Sequence, residues 1–306
     1  METSGERESS GSRSSLTEEM SVMNRSLMAV LVAALAIGFA RIAIASGHGP
    51  VFGLATPTNG KGGWSLDIGT MGRVGTADSG VMERAMLSHG ITQDIQISVS
   101  APIVFTSAPL APGRVTAMMP ATGDYEALGA WRFQRRDKAV GSRIETTAYG
   151  GVILPGSQKP PRLIGQLHWA PGVLGMVVTG YASRSNYLWA GVGGMHFDES
   201  HGDRRPDVLM YSLVYGYRPK LLRKDYPHWD GRFFVEMNGE YASRVLRGGF
   251  VVPGTNGEQV FIGPTTLWIY KNYGIEGGAQ WPVYRNTGPE FERERYRFAI
   301  DFSYFF

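Results

Sequence analysis

From residue 64 onwards, apolar side chains recur at every second position in runs of about ten residues, separated by Gly, Pro, Asn and Asp. "WSLDIGTMGRV" puts Trp64, Leu66 and Ile68 on one face and Ser65 and Asp67 on the other. In "DIQISVSAPIVF", Ile95, Ile97 and Val99 alternate with Gln96, Ser98 and Ser100. The closing "RYRFAIDFSYFF" sets Tyr296, Phe298, Ile300, Phe302, Tyr304 and Phe306 against Arg295, Arg297, Ala299, Asp301, Ser303 and Phe305. Period two belongs to strands, because successive side chains of an extended backbone point to opposite faces. Nine further segments of this kind bring the expectation to about twelve strands. They include "GDYEALGAWRFQR", "RIETTAYGGVILP", "NYLWAGVGGMHFD", "GRFFVEMNGEYASR" and "NYGIEGGAQWPVY".

The connections indicate what the apolar faces meet. Counting from the first strand, even-to-odd connections are short, as in "HGITQ", "SRSN" and "YKN". Odd-to-even connections are often longer and rich in Pro and Gly, at 106–122, 156–171, 199–206, 245–257 and 285–292. Short turns at one end and long loops at the other are the pattern of an outer-membrane barrel with both termini in the periplasm. "KLLRKDYPHWD" departs from it, being long for a periplasmic turn. In lipid a sheet must close on itself, since an unpaired edge leaves backbone groups unsatisfied where no water reaches. The expected fold is therefore all-β, a closed antiparallel transmembrane β-barrel of about 12 strands.

The N-terminal part reads as an export signal. Residues 27–40, "LMAVLVAALAIGFA", form an apolar run too short to span a bilayer as a helix, followed by the small-x-small motif Ala43-Ile44-Ala45. Residues 1–45 are expected to be a leader plus cleavable signal peptide, 46–61 an N-terminal periplasmic segment, and 62–306 the barrel. The location implied is the outer membrane of a Gram-negative bacterium.

Composition narrows the chemistry. Gly 41 exceeds the usual share of about 7 %, and Cys 0 removes disulfides, thiolate catalysis and cysteine metal sites. A net charge of +3 gives no argument for nucleic acid as a partner. The slightly negative mean hydropathy argues against a bundle of membrane helices and is compatible with half-apolar strands.

If the apolar sets face lipid, their alternates face the lumen. The candidate channel lining is then Asp67, Gln96, Arg132, Gln134, Glu145, Glu236, Asn238, Glu240, Glu276, Gln280, Arg295, Arg297 and Asp301. Both signs of charge are present, which suits either a polar channel for small solutes or a lumen closed by its own ion pairs. "HFDESHGD" brings His196 and His201 close to carboxylates in sequence, but the spacing is too loose to specify a metal site. Nothing calls for a cofactor. No catalytic signature is present; a lipid hydrolase built on a Ser/His pair stands as an alternative, as does a non-conducting structural or adhesin barrel.

Two resemblances add to this reading. The final strand, with Tyr304 and Phe306, resembles the signal read by the outer-membrane assembly machinery. "SHGITQDIQISVSAP", "GDYEALGAWRF", "GVILPG", "GAQWPV" and "RYRFAIDFSYFF" together resemble the outer-membrane barrel family named for the MetA pathway of phenol degradation, over residues 61–306. The resemblance implies porin-like passive transport of small solutes, aromatic or other small organic compounds, and partners that include outer-membrane lipids. It carries strand and turn grammar and no catalytic residue.

Overall fold

In the computed structural model, residues 49–75, 79–104, 124–155, 170–224, 227–291 and 293–306 are described. The expected signal peptide and much of the loops at 106–122 and 156–171 lie outside them. The strands are β1 (Trp64–Gly75), β2 (Ser79–Gly90), β3 (Ile95–Val104), β4 (Tyr125–Ala139), β5 (Ser142–Leu154), β6 (Gly172–Ala182), β7 (Asn186–Phe197), β8 (Val208–Tyr217), β9 (Asp230–Ala242), β10 (Leu246–Arg247), β11 (Phe250–Val251), β12 (Gly257–Tyr270), β13 (Tyr273–Thr287) and β14 (Glu294–Phe305). Twelve of them close into one antiparallel barrel, and β10 and β11 form a small hairpin of their own in the connection between β9 and β12.

Closure is made by the last strand on the first, from Ser65 opposite Phe305 to Gly75 opposite Glu294. Each of the twelve strands is hydrogen-bonded to a strand on either side, so the barrel has no open edge strand. Both strand termini lie at one end, here called the terminus end. Its connections are mostly tight, at 140–141, 183–185 and 271–272, with 218–229 as the long exception.

The outer face carries what lipid requires. Val177, Val192, Leu213, Val235, Ile275 and Ile300 form an exposed aliphatic belt. Trp131, Tyr181, Tyr217 and Tyr273 ring it at the terminus end, and Tyr125, Tyr241, Tyr284 and Tyr296 at the other, as interfacial girdles do.

The inner face is divided. Along β6, β7 and β8 the buried side chains are apolar apart from Ser212, among them Leu174, Met176, Val178, Trp189, Met195 and Val214. Along β1, β9, β13 and β14 they are largely polar or charged, including Asp67, Arg73, Glu236, Asn238, Gln280 and Arg297. The sequence suggested a polar lumen throughout. On β6 to β8 both faces are apolar, because the inward set packs inside the barrel while the outward set meets lipid.

Candidate functional site: a lumen occupied by residues 49–61

Residues 49–61, the described part of the stretch 46–61 expected to lie in the periplasm, run inside the barrel. From Gly62, whose N–H donates to the Gly90 carbonyl at 2.7 Å, the chain runs back into the lumen from the terminus end. Asn59 N–H donates to Gln96 Oε1 at 2.6 Å, and the Asn59 amide reaches Ser65 Oγ at 3.1 Å. Deeper in, Thr56 Oγ1 donates to Glu145 Oε2 at 3.2 Å and accepts from Trp189 Nε1 at 3.2 Å. The Thr56 carbonyl accepts from Thr147 Oγ1 at 2.7 Å, and that of Ala55 from the Tyr149 hydroxyl at 2.6 Å. These partners come from β1, β2, β3, β5 and β7, one contiguous side of the barrel.

Its innermost part is held by one carboxylate. Val51 N–H donates to Glu236 Oε1 at 2.8 Å, and the N–H groups of Phe52 and Gly53 both donate to Oε2 at 2.7 Å. The Thr265 hydroxyl donates to Oε1 as well. Consecutive backbone N–H groups make an anion-binding concavity, here filled by a side chain of the barrel wall. Glu236 is fully buried. Buried away from water, an unpaired carboxylate would be costly, and four donors offset that cost. Asn238 extends the grip: its amide donates to the Phe52 carbonyl at 2.7 Å and is itself positioned by Gln280 at 2.9 Å.

Gly53 must be glycine-small for this approach. A Cβ there would stand 2.3 Å from a Val214 methyl, so any side chain would push the amide off the carboxylate. Gly191 serves the same end on the wall, since a Cβ on it would meet Leu54 Cδ1 at 2.8 Å. Leu54 thereby joins the apolar wall of β6 to β8. Val51 and Phe52 pack instead with Met71, Met82 and Ala299 of β1, β2 and β14. Three successive apolar contacts thus bridge the lumen, each burying a side chain for about 1.5–3 kcal/mol. A slot of about 150 Å³ is left beside the segment, lined by residues such as Ser88, Ser98, Ala130 and Tyr149.

The remaining expected lining residues fall into groups. Glu240 and Arg297 form a buried network with Arg73 and Glu294: Arg297–Glu240 at 2.7 Å, Arg73–Glu294 at 3.1 Å, Arg73–Glu240 at 3.4 Å and Arg297–Glu294 at 3.6 Å. The Arg297 guanidinium also lies 3.5 Å from the Phe261 ring centre. Glu276 and Asp301 are opposite each other in the β13–β14 ladder, and Asp67 is on β1, the other neighbour of β14. Arg132 sits at the terminus end, on Asp94 at 2.9 Å and Glu145 at 3.2 Å.

Two expected lining residues do not face inward. Gln134 is exposed and takes a hydrogen bond from Thr146 Oγ1 at 2.8 Å, because a bulge between Trp131 and Gln134 inserts one residue into β4 and inverts the alternation. Arg295 is likewise exposed, since the irregularity opposite Val74 and Gly75 skips it and turns Glu294 inward in its place. Arg73, Arg84 and Ser212 were missed although period two reaches them, as Arg73 shares the parity of Asp67. Tyr149, Trp189 and the segment itself carried no such signal.

The histidine candidates separate. His196 is on the outer face, its Nδ1 2.8 Å from Asp207 Oδ1, while His201 contacts its own neighbour Ser200 at 3.0 Å. The φ of 54° at His201 and 79° at Gly202 belongs to the two-residue turn that pairs Ser200 with Asp203, a type I′ requirement rather than a strained catalytic dyad. Among the described residues no three His, Cys, Asp or Glu gather as metal ligands.

No protein-family model and no curated protein matches the sequence. Among solved structures, an outer membrane channel from Pseudomonas putida F1 aligns with a TM-score of 0.60 at 10 % identity, covering 81 % of this chain and 97 % of that one. The NanC porin aligns at 0.48 and 8 % identity, covering 78 % and 98 %. LpxR from Salmonella typhimurium aligns at 0.46 and 11 %, covering 79 % and 100 %. The first of these establishes the likeness in fold: the chain is an outer-membrane-type β-barrel of twelve strands.

Proposed function

We propose that the protein is an outer-membrane channel for small solutes, and that passage is controlled by residues 49–61 inside the barrel. The observation that carries this reading is the nature of the obstruction. Alongside the wall's own buried side chains, it includes a separate stretch of chain seated by hydrogen bonds and three apolar contacts, with a slot left beside it. A seated segment can leave without unfolding the barrel, because no barrel ladder runs through it.

The resemblance to barrels of the MetA phenol-degradation family supports small organic compounds as solutes. The divided lumen, apolar on β6 to β8 and polar opposite, suits molecules with both characters. Outer-membrane lipids cover the aliphatic belt. Tyr304 and Phe306 are proposed as the part of the last strand that the assembly machinery reads.

The test is planar-bilayer recording of refolded protein with and without residues 49–57, joined to liposome swelling with graded solutes. The full chain should give small or intermittent conductance, and the shortened chain a larger, steady one. A folded barrel that conducts in neither form would favour the non-conducting structural reading. Phospholipid hydrolysis by the same preparation would favour the hydrolase.

A further inference from the structure

We propose that the terminus-end mouth of the barrel is a binding site for small organic anions, in particular carboxylates with a flat apolar body. The inference deepens the channel reading by naming a solute class. The binding itself does not require that anything pass through.

The site is a cavity of about 580 Å³ between the base of the luminal segment, at Pro57 to Lys61, and the turns of the terminus end. Among the described residues, seven cationic side chains line it and no acidic one does. Four of the seven are held from behind. Arg132 rests on Asp94 and Glu145, Arg143 on Glu145 at 2.7 Å, and Arg218 and Arg232 share Asp230 at 2.5 and 3.0 Å. Among the described residues Lys61, Arg135 and Arg184 have no carboxylate partner. Seven cations against three carboxylates leave four positive charges, or three when Asp137, across the ladder from Arg143, is counted too.

Arrangement matters as much as charge. The buried carboxylates fix the guanidinium planes of Arg132, Arg218 and Arg232 and so reduce the side-chain entropy lost when an anion is bound. Arginine forks match a carboxylate in two parallel hydrogen bonds, whereas a simple cation offers only a point charge. The apolar half of the site is also present. Tyr187 and Trp189 line the cavity with stacked rings 5.3 Å apart, and the Arg232 guanidinium lies 5.7 Å over the Tyr187 ring. A flat apolar body packed against the edge of Tyr187 would leave its carboxylate among the arginines. Inorganic anions gain only the arginine part of this recognition, and aromatic cations are repelled.

Isothermal titration of the refolded full chain in detergent tests the site, with benzoate as probe and benzyl alcohol, benzylammonium and inorganic phosphate as comparators. Benzoate should bind at least about tenfold more tightly than each of the three, the scale of one charge-assisted hydrogen bond. Raising the ionic strength from about 0.05 M to about 0.5 M should weaken it, since the screening length contracts. The double reversal R135E/R184E touches only exposed side chains and should cost at least about tenfold in benzoate affinity while the protein keeps its heat-modifiable migration. Equal binding of benzylammonium or phosphate, or an affinity indifferent to the double reversal in folded protein, would overturn the proposal. Bilayer recordings separate it from the channel reading. Benzoate binding without conductance would sink the channel and leave the site, whereas conductance without benzoate binding would do the opposite.

Discussion

Replacing Glu236 by glutamine isolates the contact on which closure of the lumen rests. The two side chains are nearly isosteric, so the barrel wall is kept. What changes is the acceptor: three backbone N–H groups, at 2.7–2.8 Å, and the Thr265 hydroxyl converge on two carboxylate oxygens. Glutamine offers one oxygen, and its NH₂ would point hydrogens at amides that are themselves donors. A hydrogen bond to a charged group contributes about 1.5–3 kcal/mol, so losing one or two of them should weaken the seat by about 2–4 kcal/mol. At 1.36 kcal/mol per tenfold, the ratio of seated to displaced segment should fall by about 30-fold to about 1,000-fold. The remaining anchors, Leu54 on the apolar wall and the Tyr149, Thr147 and Trp189 bonds, keep the segment from leaving altogether. Single-channel recording should therefore show the open fraction rise by a factor in that range, up to saturation. A cysteine at position 54 should react with a small water-soluble thiol reagent faster by the same factor. Glu236→Asp, which keeps the charge on a shorter stem, should fall between. A heat-modifiable Glu236→Gln barrel with wild-type conductance and wild-type labelling at position 54 would refute the reasoning, because the latch would then not be holding anything.

Other outcomes follow from the wall. Cysteines at 236, 238 and 240 should stay hidden from lipid probes while 233, 235 and 241 react, and position 295 should label from outside while 294 does not; the reverse at 294 and 295 would place the β14 irregularity elsewhere. Arg297→Ala strands Glu240 and Glu294 with only Arg73 between them and should destabilise the barrel by about 3–5 kcal/mol, read as a lower urea midpoint of folding in detergent. Glu276→Gln relieves two carboxylates that oppose each other across β13 and β14, and at pH 8 should raise stability by about 1 kcal/mol in the same assay; a loss instead would mean that Glu276 has a partner.

The alternation of apolar and polar residues by itself determined the sheet and most of its faces. Phe233, Val235 and Tyr241 outward with Glu236, Asn238 and Glu240 inward follows from period two alone, as does the choice of lipid over water once the connections are compared. Three things needed the tertiary structure. The first is where a single inserted residue inverts the faces: nothing local in "WRFQ" or "ERERY" marks the irregularities that turn Gln134 and Arg295 out and Glu294 in, because a bulge is defined by the partner strand. The second is the inner wall of β6 to β8, where both faces are apolar and alternation vanishes, so that Trp189 and Met176 look no different in sequence from the lipid-facing Val177 and Val192. The third is the segment in the lumen. "GPVFGLATPTNGK" has no period of its own, and its conformation is set by partners as remote as Glu236, 185 residues from Val51 along the chain. A strand pattern is written locally because each residue's face depends only on its neighbours. The occupant of a lumen is not, because its hydrogen bonds are made to a surface that exists only after the barrel has closed.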